Sequence, residues 1–133
     1  MRLGLWVGLG SMFVSAAAAQ QIVDDSAAKV GDEMAKAAML AVASQLKVPM
    51  SAQFRSFTHP DPTYSQYPEN IVCGMVNAEN GFGSYSGFVP FAYHIRNKTT
   101  IILSDSVLSS VGGELAKMGF KSTSCASALG VRL

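Results

Sequence analysis

Reactive side chains are scarce in this chain: it has two histidines, two cysteines and one tryptophan, and 10 Lys and Arg against 9 Asp and Glu leave a formal net charge of +1. So little charge, interspersed along the sequence, excludes the basic patch or stripe by which nucleic-acid binders are recognised. No Cys-x-x-C spacing occurs, and only His59 and His94 could supply ring nitrogens, so no metal or cofactor is expected. The carboxylates Glu69, Glu79, Asp105 and Glu114 stand at no motif spacing, which leaves no glycosidase pair to nominate. No internal repeat and no low-complexity segment is present.

What is present begins with Arg2, the apolar run Leu3 to Val14 and the small residues Ser15 to Ala19. These are the three regions of an export signal with cleavage after Ala19. The run falls short of the ~20 residues that a spanning helix requires, so no stable membrane insertion is expected after cleavage. Removing residues 1–19 takes away only Arg2 and leaves cations and anions equal in number. The expected product is a single small domain, residues 20–133, in the periplasm or secreted.

A chain of that size supports one core and gains from an added constraint. Cys73 and Cys125, 52 residues apart, have one possible pairing. In an oxidising compartment they are expected to form a disulfide that pins the carboxyl-terminal tail to the central strand, stabilising by about 4 kcal/mol in the chain-entropy model. A reactive thiol is the competing reading.

After a polar leader at residues 20–25, Asp24, Asp25 or Ser26 is placed to cap a helix from Ala27 to about Leu46, a stretch of good helix formers weakened only at Gly31. Pro49 ends it, and Phe54 and Phe57 follow in a strand-like run before a proline-rich loop, residues 59–68. Residues 71–91 read as a long hairpin turning at Asn80-Gly81, a dipeptide suited to a two-residue turn in which both central residues take positive φ. Strands are expected over 88–95 and 99–103, around a turn at Arg96-Asn97-Lys98. A last helix starts near Asp105 with Val107, Val111, Leu115 and Met118 on one face and ends at Gly119. The expected class is α+β: an amino-terminal helix, an antiparallel sheet of three to four strands and a carboxyl-terminal helix, with the helices on one face of the sheet.

Within residues 72–91 the pattern V-C-G-x-V-N-A-x-N-x-F-G-x-Y-x-G-F-x-x-F resembles a block in small exported bacterial proteins of unknown function. A P-x-S-A-x-F-R segment tends to precede it there, and Pro49, Ser51, Ala52, Phe54 and Arg55 match that segment. The resemblance spans roughly residues 46–91 and implies export without implying an activity. It departs at the turn, where Glu79 replaces a frequent basic residue and Gly81 a frequent Ser.

The glycines of the block, Gly74, Gly81, Gly83 and Gly87, point to bulges or close backbone approach. Asn77 and Asn80 either organise the turn through side-chain hydrogen bonds or join Tyr85, Phe88 and Phe91 in a recognition surface, since aromatic rings anchor interfaces. Gly83-Ser84-Tyr85-Ser86-Gly87 has Tyr where a nucleophile elbow needs Ser, and Gly81, Gly83 and Gly87 miss the dinucleotide spacing. The sequence therefore points to a non-enzymatic exported domain that binds a protein or envelope component, possibilities that include an inhibitor or immunity-like role. The alternative is a small exported hydrolase or thiol enzyme using His59, His94 or Cys73.

Overall fold

The computed structural model describes residues 20–133; the export signal expected over residues 1–19 lies outside them. Five strands form one sheet in the order β1-β2-β3-β4-β5: Gln21–Ile22, Gln53–Thr58, Ile71–Asn77, Val89–His94 and Thr99–Ile102. Four helices accompany them: α1 (Asp32–Ala43), α2 (Asp105–Leu108), α3 (Gly113–Ser122) and α4 (Cys125–Leu129). The class is α+β. The sheet, however, is mixed and five-stranded rather than antiparallel with three or four strands, because the polar leader is itself a strand. Gln21 and Ile22 run parallel to Gln53 and Phe54, with the Gln21 N–H on the Ala52 carbonyl (2.9 Å) and the Val23 N–H on the Phe54 carbonyl (2.8 Å).

The expected first helix is broken at Gly31, whose φ of +89° a side-chain-bearing residue adopts only under strain. A 3-10 turn (Ser26–Lys29) precedes the break and α1 follows it, its first turn closed by the Gly31 carbonyl accepting from Ala35 N–H (2.9 Å). Ala35, Ala38 and Val42, at helical spacing, are buried in the core beneath α1 together with Ala43.

Asp24 acts across the chain as well as locally. Its carboxylate accepts from the Ser26 hydroxyl (2.6 Å), the Ser26 N–H (3.1 Å) and the Ser56 N–H (2.8 Å). Burial alone would raise its pKa, but these bonds and nearby Lys29 outweigh that and hold the carboxyl below the usual range. Ser56 sits at φ +60° in a bulge where the β2–β3 register breaks between Arg55 and Thr58. The extra residue turns Phe57 to the same face as Phe54, and both are fully buried.

Strand β3 is apolar on both faces, as in a sheet covered on both sides. Val72 and Val76 belong to the core under α1, while Ile71 and Cys73 belong to a second core with Phe120 and Cys125 beneath α3 and α4. The helices therefore lie on opposite faces of the sheet, not on one. The disulfide joins Cys73 of β3 to Cys125 at the start of α4, with Cα atoms 5.4 Å apart. The carboxyl-terminal helix is also divided: Ser104 caps the short α2 by accepting from Val107 N–H (3.3 Å), and α3 begins afresh at Gly113 and runs through Gly119. That break resets the helical phase, so Val111, Leu115 and Met118 are exposed and Phe120 takes the buried position.

Candidate functional site

Beyond Asn77 the chain leaves the sheet as an arm, residues 78–88, and returns at Val89. The two-residue turn expected at Asn80-Gly81 is instead a longer loop. Asn80 N–H donates to the Ser84 carbonyl (2.8 Å) and Gly83 N–H to the Asn80 carbonyl (3.2 Å), and it is Gly83, at φ +82°, that takes the left-handed conformation. This arrangement suits a three-residue hairpin loop with glycine at its last position. The Asn80 side chain fixes the loop by accepting from Phe82 N–H (2.8 Å) and Ser84 N–H (3.2 Å). At the root, Asn77 accepts from Gly87 N–H (3.0 Å) and donates to the Gln53 side chain (3.3 Å). Ser51 braces the arm from below: its hydroxyl accepts from Glu79 N–H (2.9 Å) and its carbonyl from the Tyr85 hydroxyl (3.0 Å).

The five residues singled out for recognition thus take different places. Asn77 and Asn80 shape the arm. Tyr85 is half exposed with its hydroxyl engaged, and the partly buried Phe88 ring lies 3.8 Å from the Arg55 guanidinium carbon in a cation–π contact. Phe91 is 0% exposed, so the structure removes it from any contact surface. The residue that sequence reasoning missed is Phe82, 94% exposed at the tip of the arm. A Phe between two glycines in a turn was its only signal. Met50, beside the brace at Ser51, is also exposed.

The arm's base also walls a groove of about 740 Å³ that opens between the end of α1, the edge of β5 and α2. That volume falls in the range of ligand-binding clefts. Asn80, Ser86 and Gly87 line it on the arm side.

Each group considered for catalysis is engaged with the fold itself. Cys73 is fully buried and bonded to Cys125, leaving no thiolate to act as a nucleophile. The His59 Nδ1 lies 2.8 Å from the Ile71 carbonyl oxygen, and the His94 Nδ1 accepts from the Asn97 N–H (3.4 Å). Asp61 accepts from Thr63 N–H (2.8 Å), a bond that lowers its pKa and commits it to its own loop. Among the described residues no three His, Cys, Asp or Glu side chains gather as metal ligands, and no helix is long and apolar enough to cross a membrane. Comparison with known protein families, curated proteins and solved structures gave no match to this chain.

Proposed function

We propose that the protein is an exported, non-enzymatic domain of the periplasm or the secreted fraction that binds a protein or envelope component through its arm. The observation that carries this reading is Phe82, a large apolar ring held almost wholly in solvent on a loop fixed by Asn80. Burying such a ring against a partner releases the water around it, and ordering the arm beforehand lowers the entropic cost of association. The disulfide is compatible with an oxidising address.

The test is affinity capture from the envelope fraction of the source cell, with wild type and Phe82→Ala side by side. The substitution removes a ring that packs on little of its own fold, so stability should stay within about 0.5 kcal/mol. Partner binding should weaken by about 2 kcal/mol or more, the loss of an interface anchor. A partner retained equally by both proteins would remove Phe82, and with it the basis of the proposal.

A further inference from the structure

The groove beside the arm has an unpaired sheet edge along it. Strand β5 is the last strand of the sheet, and its register sets Ile101 opposite Ala92 and Thr99 opposite His94, with the Leu103 N–H on the Pro90 carbonyl at 3.0 Å. Backbone groups in an antiparallel ladder face the partner strand at every second residue. Thr99, Ile101 and Leu103 therefore face β4, while the N–H and C=O of Thr100 and Ile102 point off the edge. Both residues line the groove, and among the described residues no hydrogen bond reaches these outward groups.

Natural sheets protect such edges with charges, prolines, bulges or covering elements. Between Thr99 and Ile102 the sequence is Thr-Thr-Ile-Ile, which carries none of the first three devices. The opposite edge, β1, is only two residues long.

We infer that the β5 edge receives a partner polypeptide in extended conformation, which adds a strand to the sheet by pairing its backbone with Thr100 and Ile102. This rests on the binding reading above and names the form of the partner. Donor and acceptor pairs at strand spacing select a peptide backbone over an apolar small molecule, which would leave them unsatisfied. The groove walls favour one strand over a second folded copy. Leu46 lines the groove on the α1 side and Val107 and Leu115 on the other, flanking the edge, so a sheet bearing its own helices would have to displace both flanks where a single extended chain would not. Alternate side chains of the added strand would lie against those walls.

The experiment selects binders from a phage-displayed library of random linear peptides and compares wild type, Thr100→Pro and Phe82→Ala. Proline is tolerated on an edge strand where its missing N–H faces away from the ladder, so Thr100→Pro deletes one outward donor without touching the β4 pairing. The selected peptides should bind Thr100→Pro roughly tenfold or more weakly. On the wild type, they should slow hydrogen exchange of the Thr100 and Ile102 amides; this readout decides the matter if the proline variant fails to fold. Equal binding to wild type and Thr100→Pro, with those amides unprotected, overturns the inference. If binding is then lost in Phe82→Ala, the arm is the site and the binding reading survives alone. Failure to select any peptide, or protection of both amides in a dimer without peptide, also overturns the extended-partner assignment.

Discussion

Phe91→Ala should destabilise the protein by about 3–5 kcal/mol, the range for truncating a fully buried Phe. The ring is 0% exposed and meets two others edge-on: Phe54 at 5.8 Å between centroids and Phe57 at 6.0 Å. Each such pair contributes about 0.5–1.5 kcal/mol beyond buried area. The seat for the ring is specific. A Cβ at Gly74, directly across the ladder, would stand 2.5 Å from Phe91 Cζ, so glycine there is what lets the ring lie flat on β3. Because the ring is enclosed by Phe54 and Phe57 of β2 and by Gly74 of β3, whose backbones the sheet holds in place, collapse into the space left by alanine is limited. Urea unfolding monitored by far-UV circular dichroism gives the value. A loss below about 1.5 kcal/mol would mean that the core relaxes around alanine and that the aromatic cluster is not its centre.

Replacing both cysteines with alanine should cost about 2–5 kcal/mol. The bond closes a 52-residue loop that holds β4 and β5, together with α2 and α3. Constraining so long a segment removes conformations from the unfolded chain. Both sulfurs also sit fully buried in the core beneath α3 and α4, so the double substitution loses packing as well. Alanine is preferable to serine, which would bury two hydroxyls without assured partners. Thermal unfolding of wild type, the double variant and the reduced wild type separates the contributions. Reduction should account for most of the loss, and a double variant as stable as the wild type would show that the tail is held by packing alone.

How much of this was legible in the sequence depended on whether each signal was local. Cys73 and Cys125 were a lone pair with one connectivity, and the structure bonds them. The strands expected over 88–95 and 99–103 appear as β4 and β5, since alternation and the turn residues between them are short-range features. Strand β1 could not be read: two residues show no period, and a parallel neighbour leaves no hairpin turn as a clue. The bulge at Ser56 depends on Asp24 and Ser26, about thirty residues earlier, whose oxygens hold the Ser56 and Phe57 N–H groups. Gly31 was visible as a weak point in a helix, but its positive φ converts that weakness into a break.

The candidate site was legible as chemistry rather than as geometry. In sequence, Asn77 and Asn80 suit turn-makers and contacts alike; in the structure their side chains hydrogen-bond within the arm and at its root. Phe91 and Phe82 were not distinguishable in kind from sequence. One sits in the ladder over Gly74, and the other lies beyond the last bridge of the arm, Glu79 with Tyr85. Which ring is buried follows from strand register, a long-range property that a single sequence expresses weakly.

Recognition through Phe82 requires the arm to be held in one shape before any partner arrives. Amide hydrogen exchange in the free protein tests that claim most directly, at Ser84 and Gly87, whose N–H groups donate to the side chains of Asn80 and Asn77. Both amides should exchange more slowly than in an unstructured peptide, and the protection should fall at Ser84 in Asn80→Ala and at Gly87 in Asn77→Ala. Exchange at unstructured-peptide rates in the wild type would contradict the account, because the arm would then be a fluctuating loop and Phe82 an exposed ring without a preformed setting.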